Sequence, residues 1–173
     1  RELWIEAEDF MEEPSKGYHR LYPPRLAPTG ESLPGSMARL KYGYIVKCTG
    51  CEKDASGKVV KVLCEYLPDT KSGTPGADSV KVKGNLHWVS AAHAYPAEIR
   101  LYDRLFAVPA PGARREGDAP ELERNFLDDL NPNSRTTISA MLEPSLKNAV
   151  AEQRFQFERH GYFVADRVDS QAG

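Results

Sequence analysis

At 173 residues, with 40% hydrophobic and 28% charged residues, the chain can form one medium domain or two small ones and has enough apolar mass for a core. No apolar run approaches the roughly 18 residues of a membrane span, and the acidic opening RELWIEAEDF lacks the basic-then-apolar order of a signal peptide, so a cytoplasmic protein with no membrane partner is expected. The net charge of -2 hides an uneven distribution: residues 16–104 hold 14 Lys and Arg against 8 Asp and Glu, while the first 15 residues hold 1 against 6. A basic block between acidic flanks suits localised phosphate contact better than general stickiness.

In chain order, Arg1 to Ile5 reads as a short strand, and Ala7 to Met11 as a helical turn ended by Pro14. Leu21 to Ser36 is rich in Pro, Gly and Ser and reads as an exposed inserted loop. Ala38 to Lys53 and Lys58 to Leu67 are strand-like, and Asp54-Ala55-Ser56-Gly57 between them has hairpin-turn chemistry. Asp69 to Asp78 is a loop, followed by strands within 79–90 and 97–106 joined by a small-residue turn. Residues 107–120 form another loop, Glu121 to Leu130 has the apolar spacing of one short helix, and Asn131 to Ser134 is a turn. Strands are expected at 135–143 and 154–166, with a bend at Glu143 to Leu146. Many short strands at roughly ten-residue spacing predict an all-β chain of antiparallel barrels with one or two short helices. The turn-like ending DRVDSQAG, with no closing element after the last strand, reads as the end of a fragment.

Val80 to Phe106 and Arg154 to Phe163 both alternate with period two and place Lys or Arg between apolar or aromatic residues. Aromatics on strands usually pack inward, and scattered basic residues are usually solvated. The interleaving of Arg20, Arg39, Lys41, Lys81, Lys83, Arg100 and Arg104 with Tyr18, Tyr42, Tyr44, Trp88, Tyr102 and Phe106 admits a second reading. Single-stranded RNA is held by stacking on rings together with phosphate neutralisation. In RFQFER, inward Phe155 and Phe157 turn Gln156 outward; Gln156 offers donor and acceptor to a base edge, and Arg159 a planar fork. The alternative is a polar edge strand with Arg159 paired to Glu158 or Asp166.

Cys48, Cys51 and Cys64 could supply three zinc thiolates, with His87 or His93 as a fourth ligand; packed, reduced thiols are preferred, since no second CxxC or HxxxH exists. His87 and His93 around Trp88 read as structural rather than acid/base groups. Neither a nucleophile arrangement nor a phosphate-cradling glycine loop is found, so no catalytic, cofactor or metal residues are assigned.

The words RELWIEAEDFMEEP, KGYHRL, KDASGKV, PGADSVKVKGNLHWVSAAHAYPAEIRLYDRLF, EPSLKNAVAE and FQFERHGYFVADR, in that order, resemble the C-terminal anticodon-binding region of the glutaminyl-tRNA synthetases over nearly the whole chain. The related glutamyl enzymes, and a stand-alone barrel that binds RNA or protein, are the alternatives. The resemblance implies two antiparallel β-barrels, a distal one at about 17–100 and a proximal one built from 1–16 with 101–173, gripping the anticodon loop of a glutamine tRNA. It implies anticodon-binding roles for His19, Arg20, Arg39, Lys41, Gln156 and Arg159: Arg20 at the third position, Gln156 at the central uridine with Arg159 at the same pocket or its phosphate, and Arg39 with Lys41 at the first. Gly17, His19 and Lys41 stand where a bacterial member of the family has Gln, Lys and Arg, and the Pro23 to Ser36 loop is longer. The family's closing anticodon-contacting strand and its HIGH-like and KMSKS-like motifs are not in this sequence. ATP with magnesium is therefore expected to act in a catalytic domain of the same longer chain, and that protein is expected to be a monomer.

Overall fold

The computed structural model describes residues 1–119 and 123–170 and forms two compact units, Arg1–His93 and Ala94–Gly173. Its regular structure is strand; among the described residues the helical segments are 3-10 turns of three to five residues. The all-β expectation holds at this level. Among the described residues no sheet closes on itself: one sheet has four strands and the others are two-stranded.

In the first unit the strands are β1 (Leu3–Ile5), β2 (Arg25–Leu26), β3 (Ser32–Leu33), β4 (Met37–Leu40), β5 (Ile45–Lys53), β6 (Val59–Leu67), β7 (Gly84–Leu86) and β8 (Trp88–Ser90). The large sheet runs β6-β5-β4-β7, and β1 pairs antiparallel with β8. Among the described residues one pair of strands departs from the antiparallel expectation: β4 and β7 run parallel, with Ala38 opposite Gly84 and Arg39 opposite Asn85. Residues 41–83 between them are long enough to return the chain in the same direction, which a tight hairpin cannot do.

Two predicted elements are refined. The strand-like stretch 38–53 is broken at Lys41–Tyr44 by a tight turn, in which Gly43 N–H donates to Leu40 O at 2.7 Å and Leu40 N–H to Tyr44 O at 2.9 Å. The inserted segment 21–36 is no featureless loop: it carries the β2–β3 hairpin, and Leu21 at its start is 2% exposed in the core. That core joins Leu21, Ala38, Leu40, Val46, Cys48 and Leu86, with Phe10 and Trp88 packed against it. Each buried leucine there contributes about 1.5–3 kcal/mol.

The second unit holds β9 (Tyr95–Tyr102), β10 (Arg135–Leu142), β11 (Arg154–Phe157) and β12 (Gly161–Val164), paired antiparallel as β9–β10 and β11–β12. The stretch expected as one strand over 154–166 is thus a hairpin turning at 158–160. The expected helix over 121–130 shrinks to a 3-10 turn, Phe126–Asp129, capped by Asn125 accepting from Leu127 N–H; Glu121 and Leu122 lie outside the described residues.

Candidate nucleic-acid interface

The segment Lys16 to Leu21 follows the 3-10 turn Ala7–Asp9 and is stapled to it. Leu21 N–H donates to Asp9 O and Met11 N–H to Leu21 O, both at 3.0 Å. The Asp9 carboxylate is fully buried and lies 3.1 Å from Arg20 Nε, while Arg20 Nη1 and the Tyr18 hydroxyl both donate to Glu8 O. Arg20, expected at a base edge, therefore has one side of its fork committed to its own chain. A buried carboxylate needs such a partner, and the partner gains a fixed direction. Burial, with the Asp9 charge, raises the Tyr18 hydroxyl pKa above its ordinary value, Arg20 acting the other way.

His19 is exposed beside Arg20, and its carbonyl is pressed against β7. A Cβ on Gly84 would stand 2.1 Å from His19 O and 3.0 Å from Ala38 Cβ, so only glycine permits the approach. Together they wall an open hollow of about 600 Å³ lined by Lys16, Tyr18, His19, Arg20, Lys83 and Asn85 among others, and no acidic side chain is among its described lining residues.

Arg39 is placed elsewhere. Its guanidinium donates to Thr70 O at 2.7 Å, to Gly43 O at 3.3 Å, to Ser72 Oγ at 3.4 Å and, in a short contact, to Ala77 O. In the structure it ties the 68–79 loop to the β4–β5 turn. Lys41 sits in that turn with its backbone held on both sides: its N–H donates to Leu86 O at 2.8 Å and its carbonyl accepts from Trp88 Nε1 at 2.9 Å. Its ammonium lies 5.2 Å from the ring of Tyr42, which is 81% exposed and takes a left-handed φ of 60°. The turn holds this ring out in solvent, where a base could stack on it.

In the second unit, the β11 alternation is as expected: Phe155 and Phe157 turn inward, with Phe157 stacked on Phe163 at 4.7 Å, and Gln156 is exposed. Its cross-strand partner is Tyr162, 84% exposed on the same face; the two border a shallow hollow with Arg154. Tyr162 was missed in the sequence, where the hairpin turn that sets it opposite Gln156 was not recognised. Arg159 lies in that turn at φ 69°, not on the strand.

The other basic residues divide. Arg100 is engaged by Asp169 at 2.6 Å and Glu98 at 2.8 Å, which raise its pKa, whereas Arg104 is exposed. Cys48 and Cys64 face each other across β5–β6, while Cys51 pairs with Val62 beyond a bulge; among the described residues no group of three or more His, Cys, Asp or Glu is placed to hold a metal. The contact with Cys64 lowers the Cys48 thiol to about 7. Ser90 Oγ and His93 Nδ1 lie 3.0 Å apart in the turn after β8. Such surfaces, basic and ringed with little enclosure, can hold phosphates and stack bases.

Comparison with known proteins gives two family matches, both described as tRNA synthetases class I (E and Q), anti-codon binding domain, over residues 1–67 and 85–166. Among similar curated proteins, the glutamine-tRNA ligases of Ralstonia pickettii (strain 12J) and Cupriavidus necator (strain H16) are each 61% identical over all 173 residues. The glutamine-tRNA ligase of Bordetella pertussis is 58% identical over 98% of the chain. The chain spans 27%, 26% and 26% of the lengths of those three relatives, about a quarter.

Proposed function

Because the chain belongs to the anticodon-binding domains of the class I tRNA synthetases (E and Q), we propose that it is the part of a glutamine-tRNA ligase that checks the anticodon of a glutamine tRNA. The observation that carries this is the identity of about 60% with glutamine-tRNA ligases across the whole chain; it favours glutamine over the related glutamyl enzymes. The longer protein would join glutamine to tRNA with ATP and magnesium in a catalytic domain, in the cytoplasm and as a monomer, and no residue of this chain is assigned to ATP or magnesium. Its strands are proposed to contribute to a distal barrel over about 17–100 and a proximal one from 1–16 with 101–173.

On this reading Arg20 meets the third anticodon base, with His19 also in contact with the anticodon, Gln156 meets the central uridine with Arg159 at the same pocket or its phosphate, and Lys41 with Arg39 meets the first base. Arg20, oriented by Asp9, keeps an edge toward the hollow, and Gln156 is exposed where a base can reach its amide. Arg39 would act chiefly by holding the turn that presents Lys41 and Tyr42.

The test is binding, at one fixed salt concentration, to anticodon stem-loops with a glutamine anticodon or with each anticodon base replaced in turn. The expected result is a preference for the glutamine loop that shrinks at the third position in Arg20→Ala and at the central position in Gln156→Ala. Equal binding to all loops, lost uniformly as salt rises, would leave only phosphate contact and sink the base assignments.

A further inference from the structure

The basic alternation of Lys81 and Lys83 is left unused by the assignment of anticodon contacts to residues 19–20, 39–41 and 156–159, yet the fold brings its end to the same place. β7 is short, and its burial alternates: Gly84 and Leu86 are buried, Asn85 between them is exposed, and Lys83 just ahead is exposed. Exposure alternates through this stretch, so Lys83 and Asn85 are both open to solvent while Gly84 and Leu86 are buried. Lys83 and Asn85 line the hollow whose other wall is Lys16 to Arg20.

The two walls are locked together at their backbones. The room that Gly84 leaves lets His19 O lie within van der Waals reach of β7, and the parallel pairing fixes Asn85 opposite Arg39. The close approach at Gly84 thus sets β7 directly beside the segment that carries Arg20. The hollow is lined by Lys16, His19 and Arg20 from one segment and by Lys83 and Asn85 from the other. Separated cations around one amide suit a nucleotide, whose phosphate needs charge and whose base edge needs a paired donor and acceptor.

We infer that Lys83 and Asn85 are RNA-contacting residues of this hollow, Lys83 neutralising a phosphate beside the third anticodon nucleotide and Asn85 hydrogen-bonding the edge of its base. This rests on the anticodon reading above and adds a second wall to it. Lys83 supplies affinity without sequence information, Arg20 supplies discrimination, and Asn85 an uncharged hydrogen bond to the base edge.

The experiment uses the full-length protein that carries this chain, with wild type, Lys83→Gln, Lys83→Arg and Asn85→Ala. Each is titrated over a salt series with stem-loops bearing the guanine of a glutamine anticodon at the third position, or adenine in its place. Lys83→Gln is expected to weaken both loops by the same factor, about five-fold, and to flatten the slope of log affinity against log salt by about 0.7, the single-strand value for one lost phosphate contact. Lys83→Arg should restore both. Asn85→Ala is expected to leave the salt slope unchanged and to weaken the guanine loop about five-fold or more.

Both residues are exposed, so thermal melting of the variants should match wild type. If wild type discriminates and a variant matches it in affinity, slope and ratio, that residue's role is overturned while the anticodon reading stands. If wild type itself binds both loops equally, the anticodon reading fails and the role of Asn85 falls with it.

Discussion

Arg20 reaches the fully buried carboxylate of Asp9 at 3.1 Å, so the residue proposed to read RNA also closes an ion pair under its own loop. On the proposed reading Asp9, fully buried, aims Arg20 from beneath. Asp9→Asn is expected to keep most of the affinity for a glutamine stem-loop at low salt and to lose several-fold in third-position discrimination, because Arg20 is then no longer aimed. Removing Arg20 instead takes one partner from a buried charge; since Arg20 is one-third exposed, the cost should fall below the ~3–5 kcal/mol of a fully buried pair, nearer 2. Denaturant unfolding of Arg20→Ala beside the binding titration separates the two effects.

Thr70 is 2% exposed and serves two backbone groups: its hydroxyl accepts from Ile45 N–H at 2.9 Å and donates to Leu67 O at 2.7 Å, while its own carbonyl receives Arg39. Thr70→Val keeps the shape and strands the Ile45 N–H in the core. A loss of about 1–3 kcal/mol is expected from the midpoint of chemical unfolding. Arg39→Gln should also loosen the 68–79 loop, read as faster amide exchange at Ile45 and Ser72.

The left-handed backbone at Arg159 sets local stability against function. Glycine takes a φ of 69° without strain, so Arg159→Gly should stabilise the β11–β12 turn, by up to about 1 kcal/mol. If the guanidinium contacts the central nucleotide, the same variant binds the stem-loop more weakly. A variant that melts higher and binds as wild type would remove Arg159 from the interface.

Acid should loosen the 107–119 loop before the rest. Arg124 holds the Asp118 carboxylate through two hydrogen bonds of 2.7 and 2.9 Å, and Arg115 N–H adds a third, keeping its pKa well below the ordinary carboxylate range. The native value lies below the unfolded one, so this contribution is complete above about pH 4 and is lost as pH falls toward the native value. Unfolding measured between pH 7 and 2 should show a shallower acid slope in Asp118→Asn.

The order of elements and the outward face of Gln156 were legible because alternation and turn chemistry are local signals. What local patterns could not show was pairing at a distance. Arg39 looked like a free cation until the 68–79 loop folded back over it. Arg159 looked like a strand residue because RFQFERHGYF contains neither Asn-Gly nor Asp-Gly to mark its turn, only His160-Gly161. Tyr162 and Asn85 gain their meaning from a cross-strand neighbour and a parallel partner, Gln156 and Arg39, that no spacing rule connects to them.

The parallel alignment of β4 and β7 also bears on when the hollow comes into being. Hairpins such as β5–β6 close locally, whereas β7 can dock only after residues 41–83 have been traversed and ordered, with the entropy of that long closure set against a three-residue pairing. Pulse-labelled refolding should show protection at β5 before protection at the Lys41 amide that bonds Leu86. On the proposed reading, a chain still emerging from synthesis would carry its Arg20 segment without an opposing wall, competent to attract RNA but not yet to judge it.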